Sequence, residues 1–120
     1  MVVKVLAIDD SRTIRELLRA TLEAEGFEYS CAEDGIEGVE KFPEVQPDVV
    51  ITDINMPRLD GFGVIEQLRG DVATTVPIIV LTTEYSDALK ARARKAGATG
   101  WMVKPFDDES LVSILRRVAG

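Results

Sequence analysis

Two hydrophobic periods alternate along the chain. Residues 3–8, VKVLAI, form a short apolar run of the strand type. Ile14, Leu17, Leu18 and Leu22 then recur at helical spacing, and Gly26 supplies a stop. Residues 27–31, FEYSC, alternate as a strand does, and Ile36, Val39 and Phe42 mark a weaker helix that Pro43 is expected to end. Residues 48–52, DVVIT, read as a strand, with Phe62, Val64, Ile65 and Leu68 making the next helix. Residues 76–81 are again apolar, and Ala88, Leu89, Ala93 and Ala96 form the inward face of a helix closed by Gly97. Last come residues 99–103, TGWMV, and a helix carrying Leu111, Ile114, Leu115 and Val118, with Asp107 or Asp108 as its cap.

Strand and helix signals in strict alternation predict an α/β fold. Its parallel sheet has helices on both faces, joined by right-handed crossovers. The links are short and there is no low-complexity tract, so residues 1–120 are expected to form one domain. In such sheets ligands bind at the carboxyl ends of the strands. The first strand ends at Asp9-Asp10, the third at Asp53, the fourth at Thr82-Thr83 and the fifth at Lys104. The second ends at Cys31-Ala32 and does not contribute. An ordinary turn residue explains any one of these positions. Four polar strand ends on a single edge point to a site.

Charge and composition then remove whole classes of function. A formal net charge of −7 is a poor footprint for nucleic acid or an anionic membrane as principal partner. No apolar run approaches the ~20 residues of a membrane span, and the start lacks a signal peptide's length and cleavage site. A cytoplasmic location is the expectation. Cys31 is the only cysteine and is assigned to packing. The chain contains no histidine, which excludes His-based zinc sites, Ser-His-Asp triads and a phosphohistidine of its own.

What remains is chemistry on carboxylates, hydroxyls, lysine or a bound ion. Three crowded carboxylates repel one another unless a cation lies among them. Hard oxygen donors with room for waters suit magnesium. A carboxylate is also a competent nucleophile toward phosphorus, and a lysine ammonium spreads the charge of a transferring phosphoryl group.

The segments IDDSRTIR, VVITDINMPRLDG, VLTTE and GWMVKPF together resemble the receiver domain of two-component response regulators, in its single-domain, CheY-like chemotaxis form. The resemblance covers essentially the whole chain. It implies a flavodoxin-like (βα)5 fold with sheet order 2-1-3-4-5. It assigns Asp53 as the phosphoryl acceptor, with Asp9, Asp10, Asp53 and the backbone carbonyl of Asn55 holding Mg2+. Thr82 matches the switch hydroxyl and Lys104 the lysine that pairs with the phosphoryl group. The Lys104-Pro105 bond matches one usually cis in the family. Trp101 takes the place of the switch aromatic, where Tyr or Phe is more frequent. Thr83 stands where many relatives have Ala or Gly, narrowing access to the phosphoryl group.

Two rival chemistries fit less well. A haloacid-dehalogenase-like phosphatase needs a second Asp two positions after its nucleophile, but Ser11 follows Asp9 and Arg12 follows Asp10 at that distance. A flavin protein of the flavodoxin type needs a phosphate-cradling loop after the first strand, where Asp9-Asp10 would repel phosphate. The resemblance therefore implies no enzyme beyond self-phosphorylation and self-dephosphorylation. It implies a sensor histidine kinase as donor, with the flagellar switch or another downstream protein as reader. A phosphatase is a further candidate partner. A phosphate sink and a phosphorelay intermediate are the close alternatives.

Overall fold

The computed structural model describes residues 2–120. Met1, the first residue of the expected 1–120 unit, lies outside them. Five strands and five helices alternate: β1 Lys4–Ile8, α1 Arg12–Ala24, β2 Glu28–Ala32, α2 Gly35–Val45, β3 Val49–Thr52, α3 Gly61–Arg69, β4 Ile78–Thr82, α4 Asp87–Ala96, β5 Gly100–Val103 and α5 Asp108–Ala119. All strand pairs are parallel and the order is β2-β1-β3-β4-β5, as the resemblance implied.

The strands are apolar on both faces because both are covered. Leu6, Ile8, Val50, Ile78 and Val80 pack against Phe42 of α2, Phe62, Ile65 and Leu68 of α3 and Ala93 of α4. Val5, Ala7, Val49, Ile51, Ile79 and Leu81 pack against Leu18 and Leu22 of α1 and Leu111 and Leu115 of α5. Alternate residues of each strand thus feed two separate cores, the two-sided burial that parallel sheets require.

Each helix begins at a capping side chain that accepts a backbone N–H three residues on: Ser11, Asp34, Asp60, Ser86 and Asp107. Asp107 is therefore the α5 cap, and Asp108 lies in the first turn.

Three expectations are corrected. Pro43 does not end α2, which continues to Val45 and stops at Gln46 in the left-handed region. The proline sits in the exposed last turn, where buried Phe42 docks the helix and its carbonyl still receives the Gln46 amide at 2.9 Å. Leu17 is exposed rather than inward, because Leu18 and Leu22 take the buried stripe of α1. Ala88 is also exposed, at the solvent side of the first turn of α4. Strand limits shift slightly: Phe27 precedes β2 and closes α1 by bonding Leu22, and Val76-Pro77 precede β4.

Candidate functional site: a carboxylate cluster with one lysine

Parallel strands in this order bring the carboxyl ends of β1 and β3 side by side, with Ile8 opposite Thr52. The residue after each is a buried aspartate: Asp9 is 3% exposed and Asp53 8%. Asp10, one position on, faces solvent. Each of the three offers a carboxylate oxygen, and these oxygens all lie within 4.8 Å of one another.

Lys104, carried by the turn after β5, reaches back across the sheet edge. Its ammonium donates to Asp9 Oδ2 at 2.7 Å and to Asp53 Oδ2 at 2.8 Å. The other oxygens are held by the backbone: Asp9 Oδ1 accepts from the Ser11 amide at 2.8 Å and Asp53 Oδ1 from the Ile54 amide at 2.7 Å. The Lys104 amide is itself fixed to the Thr82 carbonyl, and the Lys104-Pro105 bond is cis. Burial pushes the Asp9 carboxyl above its usual range, although Lys104 and the Ser11 amide pull it back. Burial also works against the charged Lys104, yet its two carboxylate partners together leave it raised.

The donors are hard oxygens, and the one exposed member, Asp10, leaves an open side for water. Three carboxylates against one ammonium leave a formal charge of −2. That set fits a small divalent cation, which takes one or two carboxylates and keeps several waters.

The remaining predicted residues make no side-chain hydrogen bond to the carboxylates or to the Lys104 ammonium. Thr82 is fully buried at the end of β4, and its hydroxyl accepts from the Glu84 amide at 3.3 Å. Asn55 is exposed in the loop after β3. Trp101, on edge strand β5, is half-buried and donates its indole N–H to the Glu84 carbonyl at 3.1 Å. Glu84 thus links the Thr82 hydroxyl to the Trp101 ring through its own backbone.

Two contacts had no sequence reading. Arg58 forms a two-bond pair with Asp34, and the Arg15 guanidinium donates to the Asp9 carbonyl at 2.8 Å. Asp34 carries no reading in the sequence, and nothing local connects it to a residue 24 positions away.

A family model, the response regulator receiver domain, matches residues 5–116. The chain belongs to this family: it is a phosphorylatable receiver domain. Among curated proteins, response regulator MprA of Mycobacterium tuberculosis is 39% identical over 116 residues, 97% of this chain and 50% of that protein. The chain therefore spans about half the length of the curated relatives it matches. Among solved structures, chemotaxis protein CheY4 of Vibrio cholerae superposes with a TM-score of 0.92 at 42% identity, covering 98% of this chain and 99% of that one. The response regulator domain of Thermotoga maritima CheB gives 0.89 at 27% identity, covering 99% and 97%.

Proposed function

We propose that residues 1–120 work as one cytoplasmic receiver unit. Asp53 accepts a phosphoryl group from a sensor histidine kinase, and the change is read by a protein partner in chemotaxis, the flagellar switch. The observation that carries the chemistry is Lys104 bridging Asp9 and Asp53. The chemotaxis assignment draws on the end-to-end likeness to CheY4.

One oxygen of Asp53 attacks phosphorus while the donor's imidazole nitrogen leaves. The backbone amide of Ile54 holds one Asp53 oxygen, so the carboxylate has a fixed aim. Lys104 needs only a small movement to follow the phosphoryl oxygens, because its ammonium already bonds Asp53. Asp9, Asp10, Asp53 and the Asn55 carbonyl would hold Mg2+. When bound, the ion neutralises charge on the transferring group. The Thr82 hydroxyl leaves the Glu84 amide to take a phosphoryl oxygen. Releasing that amide frees the segment that holds the Trp101 indole, which changes the surface formed by α4, β5 and α5. Asn55 and Glu84 lie two residues beyond Asp53 and Thr82, where these residue types accompany fast self-hydrolysis in the family. A lifetime of seconds to minutes is expected.

Labelling tests the acceptor. Asp53→Asn should abolish phosphorylation by acetyl phosphate or by a phosphohistidine donor, since an amide is a poor nucleophile. Stable labelling of that variant at the wild-type level overturns the assignment. Phosphotransfer from each histidine kinase of the source organism, with capture on the flagellar switch, separates a motor signal from a phosphate sink or relay intermediate.

A further inference from the structure

The segment from Ile54 to Asp60 carries the backbone of Asn55, and it is closed at its base by the Gly61 amide on the Ile54 carbonyl at 3.0 Å. Its tip is held from outside the loop. Arg58 sits at φ 70, in the left-handed region that a non-glycine residue seldom occupies. Its guanidinium crosses to the loop between β2 and α2, with Nε 2.9 Å from Asp34 Oδ2 and Nη2 3.0 Å from Oδ1. Two parallel charge-assisted bonds of this kind fix orientation as well as distance.

Asp34 is a firm anchor. Its side chain is only 13% exposed, and Oδ1 also accepts the Glu37 amide at 2.8 Å as the cap of α2. The Arg58 fork, then the Glu37 amide, hold its carboxyl below the usual range. At the next residue, a Cβ on Gly35 would overlap the Leu59 carbonyl, so the helix start and the loop meet backbone to backbone.

We propose that Arg58 and Asp34 are positioning residues for the metal end of the site: their ion pair latches the loop so that the Asn55 carbonyl stays where a divalent cation on Asp9, Asp10 and Asp53 meets it. This rests on the magnesium reading above. Neither residue touches the ion. An unlatched loop has to be ordered by the cation itself, and that entropy is subtracted from affinity. Chemistry at Asp53 is spared, because the Ile54 amide and Lys104 do not depend on the latch.

The test uses the full chain and Mg2+ alone as probe. Its affinity is read from the magnesium-dependent Tm, alongside the magnesium dependence of labelling by acetyl phosphate and hydrogen exchange of residues 54–60. Arg58→Ala and Asp34→Asn should each weaken Mg2+ binding roughly ten-fold, the scale of losses at partners behind a metal ligand. The double variant should lose little more than either single one. Exchange at 54–60 should rise, while labelling at saturating Mg2+ stays near the wild-type rate. Arg58→Lys keeps the charge but not the fork, and should fall between; it also carries the test if Arg58→Ala does not fold. A lowered Tm with unchanged Mg2+ affinity makes the pair merely structural and overturns the latch alone. A wild-type chain indifferent to Mg2+ overturns the latch and the magnesium reading together.

Discussion

Asp107 shows how much a single exposed carboxylate can be asked to do. It caps α5, accepting both the Ser110 hydroxyl at 2.8 Å and the Ser110 amide at 2.9 Å, and those bonds lower its pKa from the ordinary 3.8. A carboxyl whose folded pKa is depressed contributes stability above the ordinary value and loses it as pH falls through the lowered one. Asp107→Asn keeps a capping oxygen but not the charge. Its Tm should lie below wild type near neutrality, and the gap should close in acid below about pH 4. A gap that persists unchanged into acid would show that charge is irrelevant there. At this scale the sequence was informative where chain direction did the work. Asp9, Asp10, Asp53 and Lys104 were legible because each follows a strand, and parallel strands put their ends together. Arg58 and Asp34 were not, since their pairing depends on how two loops from different units approach. Nor was the stacking of Arg92: its guanidinium, carried by α4, lies over the Phe62 ring of α3, 3.9 Å from the centroid.

That stacking separates two functions within one element. Helix α4 carries Lys90, Arg92, Arg94 and Lys95 beside the half-buried Trp101 of β5, in a chain that is acidic elsewhere. A basic rim around an aromatic suits an acidic amphipathic segment. Lys95→Glu should weaken binding of such a target while leaving the Tm nearly unchanged. Arg92→Glu should do the same and also destabilise the fold by about 0.5–2 kcal/mol, because it removes a cation from an aromatic face. Chemical denaturation and target titration on both variants distinguish the roles. If both variants block phosphotransfer yet spare target binding, this face serves the kinase instead. Helix existence was readable from periodicity throughout, and four of the five caps went unassigned only because several polar residues precede each helix. The limits of α2 were misjudged, since a proline near a helix end costs one hydrogen bond and a buried Phe42 offsets it.

Across the whole molecule, the site is a place where stability has been given up. Three carboxylates crowd a sheet edge whose strands are otherwise apolar, and the one ammonium there pairs with only Asp9 and Asp53. Magnesium should therefore raise the Tm by mass action. Asp10→Ala should remove that dependence and raise the Tm of the metal-free chain, measured by thermal melts with and without EDTA. Trp101 is the only tryptophan, and its indole bonds the same Glu84 backbone that holds Thr82. Its emission should shift with beryllofluoride plus magnesium and shift again when a target binds. Unchanged emission under both conditions would detach Trp101 from the switch. The lysine bridge has a last consequence, in biosynthesis. Its two bonds join residues 51 and 95 positions apart, so the cluster lacks its ammonium until β5 has paired with β4. On a ribosome, residues 9 to 53 emerge long before Lys104 does. A nascent chain cannot present the complete constellation of Asp9, Asp53 and Lys104 before the fifth strand clears the exit tunnel and docks.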